Sequence, residues 1–277
     1  MAANLRDVAG PIAWRDAGSG PDTIVLLHGL GGSRTAWDPQ LRSLSDRWRA
    51  VAWDMPGYGA SAPLPRPTTF AALADAVARL LDALGVERAH LVGWSLGGMV
   101  AMHTALAHPD RVDRLVLIAT SPAFGLDGTD PDEWRRLRLD RLDAGETPAD
   151  MARAVLTSVA GPRLSGPALA DQMAAMARIP AAGLRAMVET LPHHDVRTRL
   201  ADITAPTLVV VGELDHETPP AYARAIADAV PGARLIVLPG LGHLAPAEDP
   251  DTVSAVIRSF LDDRPAHHPD RAPGGAP

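Results

Sequence analysis

Along the first half of this chain, stretches of unbroken apolar residues alternate with stretches of helical spacing. Thr23–Leu27, Ala50–Trp53, Ala89–Gly93 and Leu115–Ala119 are short apolar runs, the first of them rich in β-branched residues. Runs of this kind predict strands covered on both faces. Ile12–Arg15, closed by Gly18-Ser19-Gly20, predicts one more short strand. Between the runs, Trp37, Leu41, Leu44 and Trp48 predict a helix over Thr35–Arg47. Leu73, Val77, Leu80, Leu81 and Leu84 form one apolar stripe on a helix over Phe70–Leu84, which Gly85 stops. Leu96–Ala107 predicts a third helix, ended by His108-Pro109. Strand and helix in alternation call for a mostly parallel sheet with helices on its faces.

The alternation breaks after residue 121. From Pro122 to about Leu200 the pattern predicts helices alone, over Glu133–Leu142, Ala149–Ser158, Pro167–Arg178 and Gly183–Leu191, parted by Gly and Pro. Met151, Met173, Met176 and Met187 cluster there, and methionine suits an adaptable apolar surface such as a pocket lid. Strand and helix then resume with Thr207–Val211, Pro219–Val230, Leu235–Leu238 and Asp251–Leu261. This predicts a core of residues 1–121 and 201–263, a helical cap of residues 122–200, and a disordered, Pro- and Gly-rich tail of residues 264–277. His267-His268 in that tail lacks an evident third partner for a metal role.

Composition narrows the chemistry. A net charge of −7 over 277 residues disfavours a nucleic-acid partner, which would need a basic face. The absence of Cys excludes disulfides, thiolate metal sites and a cysteine nucleophile. The N-terminus has no basic start followed by an apolar run, and no uncharged stretch is long enough for a bilayer. A cytoplasmic protein is the expectation, with a homodimer as the default oligomer.

The chemistry-bearing segments all fall at predicted strand ends. Gly93-Trp94-Ser95-Leu96-Gly97-Gly98 joins a strand to a helix, the context of a nucleophile elbow. A serine hydroxyl needs a base, and His243, between glycine-rich flanks after the last strand, is the candidate. The base needs a carboxylate to fix its tautomer. Asp215 follows the strand Thr207–Val211 and is preferred, with Glu213 and Glu217 as neighbours. Ser95, Asp215, His243 is the chain order of such a triad. An acyl-transfer site also needs oxyanion donors. The backbone N–H groups of Leu30, in the turn His28-Gly29-Leu30-Gly31-Gly32, and of Leu96 are the candidates. The His28 side chain and the Asp54–Ser61 turn are read as bracing. Trp94, Phe124, Trp134, Met151, Met187 and His194 are candidate pocket residues.

Together the His-Gly turn, the segment Asp54-Met55-Pro56-Gly57-Tyr58-Gly59-Ala60-Ser61, the elbow, Gly212–Asp215 and Gly242-His243 resemble the α/β-hydrolase superfamily. The resemblance implies an eight-stranded, mostly parallel sheet with helices on both faces and a helical cap insertion. It also implies a serine hydrolase of small-molecule esters or lactones that needs no cofactor. The chain is most similar to the 3-oxoadipate enol-lactonase-like branch, through Gly212–Asp215 with Thr218-Pro219-Pro220, Asp195-Val196-Arg197 and Trp134. Three residues after Trp134, where that branch leads one to expect Arg, stands Leu137 amid Arg135, Arg136 and Arg138. A dicarboxylate-like substrate is thus one option. Ser95 argues against the dehalogenases and epoxide hydrolases of this fold, which carry Asp there. A C–C bond hydrolase, a cofactor-free perhydrolase and a non-catalytic ligand receptor are the alternatives on the same fold.

Overall fold

A computed structural model describes residues 4–263. Its eight-stranded sheet consists of β1 (Arg6–Val8), β2 (Trp14–Ala17), β3 (Thr23–Leu27), β4 (Arg49–Trp53), β5 (Ala89–Trp94), β6 (Val112–Ile118), β7 (Thr207–Gly212) and β8 (Arg234–Leu238). The spatial order is β1-β2-β4-β3-β5-β6-β7-β8. Both pairings of β2 are antiparallel, and every pairing from β4 to β8 is parallel. The apolar runs therefore end up where two covered faces exist: β3, β5 and β7 are buried along their whole length.

The helices are α1 (Asp38–Leu44), α2 (Phe70–Leu84), α3 (Leu96–Ala107), α4 (Pro131–Asp143), α5 (Pro148–Val159), α6 (Gly166–Met176), α7 (Ala181–Thr190), α8 (Pro220–Ala229), α9 (Ala245–Glu248) and α10 (Pro250–Asp262). Thr69 caps α2 by accepting from the Ala72 N–H, and Gly85 closes it in the left-handed conformation, φ 69°. Its stripe of Leu73, Val77, Leu80 and Leu81 is fully buried and the helix packs on α3. Each such side chain contributes about 1.5–3 kcal/mol of transfer free energy. Among the described residues, no helix is long and apolar enough to cross a membrane.

Three elements differ from the sequence reading. β1 was not anticipated, because its pairing is written in charge: Arg6 lies opposite Asp16 and Asp7 opposite Arg15, and both pairs close as ion pairs. The helix expected over Thr35–Arg47 is a 3₁₀ turn, Arg34–Trp37, followed by α1. Pro39 has no N–H to continue a helix and sits instead in the first turn of a new one. The short α9 follows His243 and was also missed. The tail expected to be disordered lies outside the described residues.

The four helices α4–α7 fill the chain between β6 and β7. The insertion leaves and rejoins the core through one neck. There Phe124 N–H donates to His194 C=O (2.9 Å) and Val196 N–H to Pro122 C=O (2.9 Å). In a parallel sheet the strand C-termini share an edge, and the crevice opens where successive strands run to opposite sides. Here β4 lies on one side of β3 and β5 on the other, so the turns after β3 and β5 meet at that crevice.

Candidate active site

Ser95 stands between β5 and α3 with φ 55° and ψ −120°, a left-handed conformation that a side-chain-bearing residue rarely adopts. The backbone holds it there. Ser95 N–H donates to Ile118 C=O (2.9 Å), and its carbonyl accepts from Gly98 N–H (2.8 Å), Met99 N–H (3.2 Å) and the Thr120 hydroxyl (2.8 Å). The flanking glycines make this turn sterically feasible. A Cβ on Gly93 would strike the Gly97 carbonyl, one on Gly97 would strike the Leu27 carbonyl, and one on Gly98 would lie 2.7 Å from Thr120 Cβ.

The turn presents the Ser95 hydroxyl to His243. Oγ and Nε2 are 3.1 Å apart. On the far side of the ring, Nδ1 lies 3.0 Å from Asp215 Oδ2 and 3.2 Å from Oδ1. Asp215 is buried and held in turn: Oδ1 accepts from Glu217 N–H (2.9 Å) and Thr218 N–H (2.8 Å), and Oδ2 from the Thr218 hydroxyl (2.9 Å). Burial opposes protonation of His243. The attraction and hydrogen bond of Asp215, aided by Glu217 and Glu248, outweigh it and raise the imidazole above its ordinary 6.5. Such a line can move a proton from hydroxyl to imidazole and stabilise the resulting cation.

Of the neighbouring carboxylates, Glu217 lines the same cavity as Ser95 and His243, while Glu213 and Asp54 lie elsewhere. Glu213 accepts from Gly240 N–H (3.0 Å) at the surface. Asp54 is fully buried, paired with Arg34 (2.6 Å) and bonded by Arg34 N–H (2.9 Å) and Ala60 N–H (2.9 Å). His28 bonds loop backbone: Nδ1 donates to Gly29 C=O (2.9 Å) and Nε2 accepts from Met55 N–H (3.0 Å). These two bonds fix a neutral tautomer, in keeping with burial, which lowers its pKa.

The turn after β3 passes against Ser95: a Cβ on Gly29 would sit 3.2 Å from Ser95 Cβ. Neither the Leu30 nor the Leu96 N–H has a backbone acceptor among the described residues. Leu96 N–H opens α3, whose first amides have no intrahelical partner.

A cavity of about 450 Å³ opens over Ser95 and His243. Core turns line its floor, and side chains of α4–α7 line its walls, so the helical insertion roofs the serine. Trp94, Phe124, Trp134 and Met151 all face it. Trp94 also donates to His243 C=O (2.9 Å) and so braces the loop. Met187 and His194 do not line it. Leu184 and Val188 of α7 and Leu191 just beyond it line the cavity, while Met187, beside them in the same helical register, is 1% exposed and packed in the core. His194 belongs to the neck. Its Nε2 bonds Ser121 C=O (2.8 Å), its Nδ1 meets His103 Nε2 (3.1 Å), and burial, reinforced by His103, pushes its pKa down to about 4. Met176 and Met99, by contrast, reach the cavity.

Two contributors were not singled out from sequence. Thr218, which orients Asp215, follows it by three residues, the spacing at which a side-chain carboxylate reaches backbone N–H groups. Glu248 touches neither Ser95 nor the ring, and no sequence signal marks it.

A sheet of this topology with an elbow serine under a helical roof defines a class, and comparison with known proteins agrees. Residues 22–250 match the family model described as the alpha/beta hydrolase fold. The chain belongs to that family. It is 33% identical over 260 residues to a pimeloyl-[acyl-carrier protein] methyl ester esterase of Edwardsiella ictaluri, covering 91% of this chain and 97% of that one. A hydrolase from Pseudomonas aeruginosa superimposes with a TM-score of 0.83 at 33% identity, over 94% of this chain and 98% of the other. An enol-lactonase from Burkholderia xenovorans superimposes with a TM-score of 0.81 at 28% identity, over 90% and 96%.

Proposed function

We propose that the protein hydrolyses carboxylic esters or lactones through Ser95, His243 and Asp215 and an acyl-enzyme. The observation that carries this reading is the continuous line from Ser95 Oγ through the imidazole to the Asp215 carboxylate, set beneath a largely apolar cavity. Ser95 Oγ attacks the substrate carbonyl carbon while His243 Nε2 takes its proton. The N–H groups of Leu30 and Leu96 receive the oxyanion, and Leu96 adds the positive end of α3. His243 then protonates the departing alkoxide, and the acyl group stays on Ser95. Water enters, gives a proton to His243 and attacks the acyl carbon. Collapse releases the carboxylic acid and returns the proton to Ser95 Oγ. Asp215 fixes the tautomer throughout, and α4–α7 serve as the lid.

The cavity is lined by two carboxylates, Asp127 and Glu217, and two cations, Arg141, which pairs with Glu146, and Arg138. Arg138 is half-buried, its guanidinium lies 3.9 Å from the Trp134 ring centroid, and among the described residues it has no carboxylate within ion-pair distance. Burial lowers its pKa, partly offset by Glu217. This favours acyl groups that carry an anionic end. A panel of neutral nitrophenyl esters, lactones and esters with a terminal carboxylate tests both readings. Turnover of the neutral esters is expected, with a lower KM for the carboxylate-bearing ones that Arg138→Met abolishes. A protein that turns over nothing in the panel is not this hydrolase. Equal KM values in parent and variant remove the anionic preference alone.

The raised pKa of His243 fixes a sign for the pH profile. The base works only when neutral, so kcat/KM falls as pH drops through its folded-state pKa, and the acid limb is expected above pH 6.5. A rate profile on a neutral ester checks this. A limb below 6.5 would contradict the Asp215–His243 coupling as described.

A further inference from the structure

Glu248 ends α9 and is only 8% exposed, yet among the described residues it has no cationic side-chain partner. Its carboxylate is instead saturated by backbone. Oε2 accepts from Gly242 N–H (2.8 Å), and Oε1 accepts from Leu244 N–H (3.1 Å) and Gly161 N–H (2.9 Å). Gly242 and Leu244 are the residues on either side of His243. Gly161 belongs to the helical insertion, just beyond α5. A further bond crosses the same seam, from His243 N–H to Val159 C=O (3.3 Å). The packing there leaves no room for a side chain. A Cβ on Gly242 would lie 2.6 Å from Gly161 Cα, and one on Gly161 would strike the Glu248 carboxylate.

Resting on the serine hydrolase reading above, we propose that Glu248 is a positioning residue, which sets His243 against Ser95 and ties the lid to the loop of the base. Its two oxygens face three donors, a task for a group with acceptors only. Anchoring both neighbours of His243 fixes the φ and ψ of the loop at the point where the ring must meet Oγ at 3.1 Å. The negative charge also adds to the attraction that Asp215 and Glu217 exert on the imidazolium. Near this seam Arg163 pairs with Asp249 (3.4 Å), and Arg138 and Glu217 line the cavity that Val159 and His243 also line. The lid seam at residues 159–161 is therefore tied to the base twice, by the His243–Val159 backbone bond and by the Glu248 carboxylate.

The test compares the parent, Ser95→Ala, Glu248→Gln and Glu248→Asp on a nitrophenyl ester. In Glu248→Gln the amide oxygen is expected to stay with Gly161 and Leu244, where two donors converge. The NH₂ then opposes Gly242 N–H and pushes the loop aside. We expect kcat to fall by about 10- to 100-fold, as for a catalytic group displaced by about an ångström, with KM within about twofold. The acid limb should move to lower pH as the charge is lost. Glu248→Asp keeps the charge but draws it back by one methylene, so kcat should fall with the limb in place. A lower melting temperature with the parent's kcat and pH limb in Glu248→Gln would show a purely structural role and overturn the proposal. If Glu248→Gln does not fold, parent-like kcat in Glu248→Asp overturns it equally. Equal turnover by the parent and Ser95→Ala would instead sink the hydrolase reading itself, which keeps the two failures distinct.

Discussion

Ser95→Ala is expected to lower kcat by about 10⁵- to 10⁶-fold, the scale seen when a triad nucleophile is removed. The expectation rests on what the change leaves intact. The left-handed backbone at this position is held by Ile118, Gly98, Met99 and Thr120 through main-chain atoms of Ser95, none of which is lost. The hydroxyl itself bonds only His243 among the described residues. The fold, cavity and oxyanion amides therefore persist, and the missing part is the atom that forms the acyl bond. Residual turnover above the uncatalysed rate, from binding and oxyanion donors alone, is still expected. Stopped or end-point assays with a nitrophenyl ester measure it. A loss of less than about 10²-fold would place the nucleophile elsewhere.

Asp215→Asn is expected to cost about 10⁴-fold in kcat, through the tautomer rather than the fold. The geometry dictates which way the new amide lies. Oδ1 accepts from two backbone N–H groups, Glu217 and Thr218, so the carbonyl oxygen must occupy that place. The NH₂ then takes the place of Oδ2, 3.0 Å from His243 Nδ1. It donates to Nδ1 and forces the ring proton onto Nε2, which faces Ser95 as a donor and can no longer accept its proton. Loss of the carboxylate also removes the main attraction that raises the His243 pKa, so the remaining activity should keep an acid limb at lower pH. Unchanged kcat in a folded variant would mean that another carboxylate supports the base.

How much of this was legible beforehand depended on how each feature is encoded. β3 and β7 announce themselves because strands covered on both faces require apolar residues at every position. β1 does not, because Arg6, Asp7 and Val8 carry no periodic pattern and its partner's charges decide its pairing. The three residues of the candidate triad were readable as residue types at strand ends in a fixed chain order. Thr218 donates to Asp215 from three residues away, a local spacing, whereas Glu248 accepts from Gly161 N–H, which only tertiary closure brings to it, so composition and spacing are silent on Glu248. Residue type alone points to Met187 and His194, whereas side-chain packing buries Met187 in the core and the neck's hydrogen bonds hold His194. The four helices of the insertion were readable, since Pro, Gly and capping residues bound them. Which of their faces points at Ser95 was not, because an insertion packed on both the core and a cavity has two apolar faces.

The central claim is that Ser95 is an activated nucleophile. Labelling with a fluorophosphonate, followed by intact-mass measurement and peptide mapping, tests it most directly. One adduct per chain is expected, on the peptide containing Ser95, formed at a rate that falls with the same acid limb as ester turnover and lost in Ser95→Ala. An adduct on another residue, or none under conditions where the ester is hydrolysed, would contradict it.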